Sequence, residues 1–427
     1  MNVRQVPARP LRANLVGNTA FSDGASGNIG ETALRQMFTS KNNELFIQQT
    51  EDLDRWQRMY EQSFSEKRAR RDGRFSARLA RAGGRYECIP SVEYRDFGKK
   101  GFPRNERHLI FAHLLNLNDF ELKYGIDYFD RCLRLDIPSS VGRVIQVDIP
   151  RTLSWFASVC GEETKSFLMK QLRDVLWAFA VHKPEIGYCQ SLNFIAAYFL
   201  TVFGSSKISF YALVQLIDSP TSPYVGIHTP GYYSPGMKQL LVDIEVLEKL
   251  TRIRVGDSEY RNFFEKREIS NLSMIVSEWF HTLFVTVFPI RTVDRIFDLI
   301  VSGSAGSNKI IFRIAFTILR HLISRKDELY DLDQVMQGHK RITKLWVDAN
   351  SLIVASTRGM RRFSKKQLEA WKLERRVLLG ASSSGGSSTL LVGNTMMKLD
   401  EAIAPSTTLL LVPTTVFEES TILDENL

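Results

Sequence analysis

Between about Val92 and Leu373, apolar residues return at every third or fourth position instead of alternating. That spacing sets one face of an α-helix against a core. ERHLIFAHLLNL, from Glu106, places Leu109, Ile110, Leu114 and Leu115 at such intervals. KSFLMKQLRDVLWAFAVH repeats the pattern with Phe167, Leu168, Leu172, Val175 and Leu176, and FYALVQLI, MKQLLVDIEVLEKL, VDRIFDLIV and NKIIFRIAFTILRHLI continue it. Pro150, Pro184, Pro220, Pro230, Pro235 and Pro289 punctuate the series. They are expected at breaks or in first helical turns, where a missing amide donor is tolerated. The pattern predicts an all-α fold, one large domain of stacked helices.

The flanks read differently. Residues 1–45 are rich in Asn, Gly, Ser and Pro, lack sustained periodicity, and predict a flexible segment. EDLDRWQRMYEQSF, from Glu51, puts Leu53, Trp56, Met59 and Tyr60 on one helical face, so residues 46–91 predict a short helix and a basic linker. Lys67 to Arg85 holds eight basic residues and one acidic residue. Its glycines argue against one long rigid helix, and a solvated charge run is the plain reading. The helical domain is placed at 92–375, followed by a flexible tail over 376–427. Within that tail ASSSGGSS, Ala381 to Ser388, reads as a connector, and TTLLLVPTTVF from Thr407 as a docking strand or a loosely packed terminus.

Composition narrows the class. Hydrophobic residues make up 44% and charged residues 24% of 427, as in a soluble globular chain. The formal charge of +9 favours anionic surfaces without naming nucleic acid, and no base-reading motif or aromatic interleaving accompanies the basic run. Cys88, Cys132, Cys160 and Cys189 lack paired-ligand spacing and read as reduced cysteines of a cytoplasmic protein. The most apolar stretch, Met274 to Pro289, is too short to span a bilayer and contains Glu278 and His281. The N-terminus has arginines but no continuous apolar core of a secretory signal.

Few residues suggest chemistry. The seven histidines form no HExxH pattern and the cysteines no zinc pair, so no metal is expected. Asp243, Glu245 and Glu248 read as the solvent face of a helix. GSAGSNKI, from Gly303, lacks the GxxxxGK[ST] spacing of a phosphate loop, so the chain is not expected to bind a nucleotide of its own. Arg151 stands beside Pro150, with Thr152 and Ser154 able to brace a helix start. It is either the ion-pair partner of Asp148 or a guanidinium reaching outward, whose fork of donors suits phosphoryl oxygens. Gln190 opens an apolar helix after Tyr188 and Cys189. Its amide can donate to one oxygen and accept from another, as orienting a water requires, or it serves the helix start alone. Tyr188 and Asn193 belong to the same helix mouth, with core and capping roles as their alternatives.

In order along the chain, these residues resemble the TBC-domain GTPase-activating proteins that act on Rab GTPases. GFPRNERHLIF, Gly101 to Phe111, is similar to the first motif of that family, with Arg107 at its arginine, Glu106 where leucine is usual and Phe111 where tryptophan is usual. IQVDIPRT, Ile145 to Thr152, matches the second, including Asp148 and Arg151. YCQS, Tyr188 to Ser191, matches the third except that Ser191 replaces glycine. GYYSPGMKQLLVDIEVLEKL, SEWFHTLFVTVFPIRTVDRIFDLI and the stretch from Lys309 to Leu319 extend the likeness over roughly residues 92–375.

The resemblance implies two helical lobes forming a cleft for a GTPase. It implies that Arg151 is an arginine finger and Gln190 a glutamine finger, both supplied in trans to a GTP-loaded Rab in vesicle trafficking. Asp148 would position the arginine, Arg107 would brace the architecture by pairing with that carboxylate, and Tyr188 would order the glutamine segment. GTP and Mg2+ would come with the partner, with no cofactor bound by this chain. The competing reading is a catalytically weak TBC-like scaffold that binds a Rab or trafficking factor, suggested by Glu106, Phe111 and Ser191. The basic run adds an expected peripheral contact with anionic endomembranes.

Overall fold

The three-to-four-residue spacing is realised as helices throughout the domain. The computed structural model describes residues 50–160, 165–218, 230–269, 271–303, 309–358, 363–382, 389–392 and 395–398. Ten helices come first: α1 (Thr50–Ser63), α2 (Ser65–Arg81), α3 (Ser91–Lys100), α4 (Arg107–Leu114), α5 (Leu117–Tyr124), α6 (Tyr128–Leu133), α7 (Ser139–Cys160), α8 (Lys165–His182), α9 (Leu192–Phe203) and α10 (Ser206–Asp218). Eight more follow: α11 (Pro230–Tyr233), α12 (Lys238–Val255), α13 (Asp257–Phe264), α14 (Ser273–His281), α15 (Ile290–Val301), α16 (Lys309–Ile323), α17 (Leu332–Lys344) and α18 (Ala349–Arg358). α19 (Lys365–Ser382) runs into a second compact unit, residues 369–427, whose described strands β1 (Thr389–Val392) and β2 (Thr395–Lys398) form an antiparallel pair with Leu391 opposite Met396.

Two apolar helices organise the main unit. In α9, LNFIAAYFLTVF, every residue from Ile195 to Leu200 is buried, the all-round hydrophobicity that belongs inside a protein. It packs against α4, α7, α8 and α10. α16 plays the same part downstream, buried almost along its length and contacted by α12, α14, α17 and α18. α15 joins the groups. It packs on α3 and α18, and its Phe297 ring lies 4.1 Å from the ring of Tyr198 on α9. Each such buried aromatic side chain contributes roughly 1.5–3 kcal/mol of hydrophobic stabilisation.

The basic run departs from its expected form. It is helical from Ser65 to Arg81, and Gly73 lies inside that helix. A helical glycine costs about 1 kcal/mol relative to alanine, which burial of Phe75 edge-on against Phe97, 5.2 Å between centroids, offsets. The glycines that end the helix are Gly83 and Gly84, both at positive φ, with the Gly84 amide donating to the Leu79 carbonyl. Nor does the run stand apart from the domain. Arg78 forms a forked bond to Glu93 at 2.6 and 3.0 Å, and the Tyr60 hydroxyl on α1 accepts from Asn350 Nδ2 at 2.8 Å.

Two further expectations are corrected. Pro150 sits within α7 and not at a helix start. It deprives the Gln146 carbonyl of its intrahelical donor, but Gln146 and Pro150 are both exposed, so water can serve the freed carbonyl. Asp243 is fully buried, accepting from Tyr232 Oη and from Gln239 Nε2, while Glu248 pairs with Arg252 as a surface acid does. Pro184 and Pro235 fall at breaks, Pro230 opens α11, and Pro289 precedes α15. The expectations for residues 1–45, Pro220, most of the Ser/Gly connector and TTLLLVPTTVF lie outside the described residues.

Candidate active site

Asp148 is the residue around which the site is built. Its position on the inner face of α7 buries the carboxylate to 3% exposure, and a buried carboxylate must be matched by donors. Arg151, one helical turn on, donates from Nη1 to Oδ1 at 2.9 Å, and Tyr188 donates its hydroxyl to Oδ2 at 2.8 Å. Both oxygens are thus taken by groups from different segments. Arg151 itself remains 58% exposed, so one end of its fork is anchored inward while the side chain stands at the surface.

A second stitch lies one residue beyond. Thr152 is buried, with its hydroxyl donating to the Asp148 carbonyl at 2.8 Å. Asn193, in the first turn of α9, donates from Nδ2 to Thr152 Oγ1 at 2.8 Å and accepts the Ser191 amide at 3.0 Å. Tyr188 and Asn193 therefore flank Gln190 and bond to Asp148 and Thr152, which flank Arg151. Gln190 is half-buried on the connection between these anchors. Four of the expected site residues, Asp148, Arg151, Tyr188 and Asn193, form one bonded cluster, and Gln190 is carried by it. Thr152 was expected only to brace a helix start. Its place as Asn193's partner has no sequence signature beyond its adjacency to Arg151.

Burial and the Asp148 charge push the Tyr188 phenol well above its ordinary range, so the tyrosine stays a donor at any working pH. The same causes push the Cys189 thiol up to about 11, which favours its protonated form. Among the described residues no group of three His, Cys, Asp or Glu side chains could hold a metal ion.

Arg107 does not pair with Asp148. Its guanidinium binds Asp298 at 2.9 and 3.3 Å and lies 3.4 Å from Asp294, both on α15. Asp298 also accepts the Phe102 amide at 3.0 Å, and Asp294 accepts from Tyr198. The two carboxylates raise the arginine's pKa against the opposing effect of burial. The four-residue spacing of DRIFD, which puts both aspartates on one face of α15, is the signal that could have identified these partners.

The three family departures each have a local account. Phe111 is fully buried and meets Phe102 edge-on at 6.4 Å, so apolar packing is kept without an indole donor. Glu106 accepts the Tyr86 hydroxyl. Ser191 has φ +94° and ψ −25°, left-handed backbone that glycine adopts freely and serine does not.

This chain resembles known proteins in sequence and in fold. The Rab-GTPase-TBC domain model matches residues 106–329. Growth hormone-regulated TBC protein 1 of Homo sapiens is 28% identical over 308 residues, covering 69% of this chain and 86% of that protein. Growth hormone-regulated TBC protein 1-A of Danio rerio is 29% identical over 265 residues, covering 61% and 69%. The crystal structure of the Chlamydomonas flagellar RabGAP TBC domain superimposes with a TM-score of 0.57 at 19% identity, over 71% of this chain and 96% of that one. The Ypt/Rab-GAP domain of Gyp1p gives 0.54 at 16%, over 65% and 94%. The Asp148-centred cluster and the Arg107 brace thus lie within a match covering half the sequence, and the chain belongs to the Rab-GTPase-TBC domain family.

Proposed function

We propose that this protein accelerates GTP hydrolysis by a Rab-family GTPase in vesicle trafficking, with Arg151 and Gln190 as the groups it supplies in trans. Membership in the family carries a general Rab-GAP-like role; the assignment to these two side chains rests on the shared Asp148 carboxylate. It holds one guanidinium nitrogen of Arg151 and the tyrosine two residues before Gln190, which supports a reading in which the two segments are held together before a partner docks. Val147 and Val144, exposed one and two turns before Arg151 on the same helical face, offer apolar surface on which a partner could rest.

In this reading the GTPase brings GTP and Mg2+. Arg151 neutralises charge developing on the phosphoryl oxygens as the bond to the leaving group stretches, and Gln190 holds the attacking water in line. An arginine supplied in trans accelerates such hydrolysis by roughly 10³–10⁵-fold, about 4–7 kcal/mol of transition-state stabilisation. An exposed ion pair is worth only about 0–1 kcal/mol. Phosphate release from a panel of GTP-loaded Rabs tests the proposal with wild type, R151A and Q190A. Turnover by wild type that is lost in folded R151A and reduced in Q190A is expected. Equal rates with and without folded wild-type protein on every Rab would refute it.

One observation favours a TBC-like scaffold as the second reading, namely the non-glycine left-handed residue next to Gln190. Nucleotide-dependent Rab binding without faster hydrolysis is the outcome that would select it.

A further inference from the structure

A second concentration of arginines occupies elements other than those that carry Arg151 and Gln190. α1, α2, the segment from Lys100 to Arg104, and α15 line a cavity of about 70 Å³, room for about two waters. Seven basic residues line it against three carboxylates, Glu61, Asp72 and Asp294. Arg68 and Arg104 lie 4.0 and 2.7 Å from one carboxylate, Glu61, which Arg291 also approaches at 3.6 Å. Arg107, Arg291 and Arg295 also reach Asp294 or Asp298, and Arg295 donates to the Gly98 and Lys99 carbonyls besides. On the remaining wall Arg71 donates to the Lys100 carbonyl and lies beside Asp72, and burial pushes the Asp72 carboxyl up, which discourages its charge.

The wall is built to hold this excess. Burial and the neighbouring Arg71 and Arg107 push the Arg295 guanidinium down to about 10, despite Asp298. Burial and Arg104 likewise lower Arg68. Gly101, at φ +99°, leaves room for Arg295, since a Cβ there would fall inside van der Waals distance of its guanidinium. A carboxylate has two oxygens, and Glu61 already spreads its own over three guanidiniums. A tetrahedral anion with three or four oxygens can meet forks arriving from three directions at once.

We infer that this cavity binds a phosphoryl anion, either free or presented on a phosphorylated lipid headgroup. The basic run on α2 then has two faces with different tasks. Arg68 and Arg71 line the cavity, whereas Arg70 and Arg74 are exposed on the outer side and add only diffuse attraction. This inference is independent of catalysis by Arg151.

The experiment uses the full chain at low salt, with inorganic tripolyphosphate as the free probe. Calorimetry is expected to give saturable one-to-one binding. R104Q/R291Q should weaken it roughly tenfold or more, and R70Q/R74Q by less than about twofold. Arg104 and Arg291 are partly exposed side chains, 37% and 43%, so their replacement spares the core. Circular dichroism melting verifies the fold, and R71Q stands in for the double variant should its Tm fall. Phosphatidylcholine vesicles containing phosphatidylinositol bisphosphate or charge-matched phosphatidylserine separate the two sources. Retention on the former beyond the latter, lost in R104Q/R291Q, assigns the lipid headgroup. Tripolyphosphate binding without that retention assigns the free anion. Absence of saturable binding to either probe, or equal loss in both double variants, would overturn the inference.

Discussion

Arg107 and Arg151 both sit against aspartates, yet they end in opposite conditions. Arg107 is buried and spends its donors inward, on Asp294, Asp298 and the Phe102 carbonyl. Arg151 anchors one nitrogen on buried Asp148 and leaves most of its side chain at the surface. In the first pair the carboxylates satisfy the arginine. In the second the arginine helps satisfy the carboxylate and keeps donors for something else. An arginine near an aspartate is therefore no guide to role; where the remaining N–H groups point is.

Crossed readouts make that difference measurable. R151A should reduce GTPase activation by roughly 10³-fold or more, at least about 4 kcal/mol in the barrier. Its urea-unfolding free energy should fall by only about 1 kcal/mol, because the Arg151 guanidinium is largely exposed and water can take its place at Asp148. R107A should do the reverse. Removing it takes the most buried charged partner from two buried carboxylates, and breaking a buried pair in this way costs roughly 3–5 kcal/mol. Activity per folded molecule should change little. If R107A were as stable as wild type while losing turnover, the contrast between a bracing and a reacting arginine would fail.

Much of this contrast was legible in the residues and some was not. Helical spacing gave the all-α class because the period of buried positions is set locally, and α9 and α16 are apolar enough to mark the centres of their groups. The ordered motifs pointed to Arg151, Asp148, Tyr188, Gln190 and Asn193, yet the bonds that join the two segments, Tyr188 to Asp148 and Asn193 to Thr152, span about forty residues and exist only after α7 and α9 pack. Arg107 meets carboxylates other than the expected Asp148 for the same reason: its partners lie 191 residues away for Asp298 and on the same face of α15 for Asp294. Local rules misled where tertiary burial outweighed them. Gly73 is held in a helix by Phe75, and Pro150 is accommodated where its unmatched carbonyl faces water.

Smaller changes sharpen the picture at Asp148. Y188F deletes one donor to a buried carboxylate without altering the ring's packing. Hydrogen bonds to charged groups contribute roughly 1.5–3 kcal/mol, and stability should fall by about that amount. Turnover should fall as well, since the segment carrying Gln190 loses its tie to α7. A variant that loses stability but keeps full activity would show that the Tyr188 bond serves folding alone.

The smallest expected effect is at Ser191, where the opposing terms nearly balance. Left-handed backbone costs an L-residue about 1–2 kcal/mol relative to glycine. Glycine gives back roughly 0.4–1 kcal/mol of that through the greater freedom of the unfolded chain. The contact that secures this position is the backbone amide to Asn193 Oδ1, which glycine retains. S191G should therefore be more stable than wild type by up to about 1.5 kcal/mol, read as a higher urea midpoint with an unchanged slope. N193A removes the acceptor that holds the strained turn together with the donor to Thr152, and it should shift the midpoint the other way. Were S191G instead destabilised, the serine hydroxyl would have to contribute more than the strain it carries, and the turn before α9 would be held by its side chain and not by Asn193.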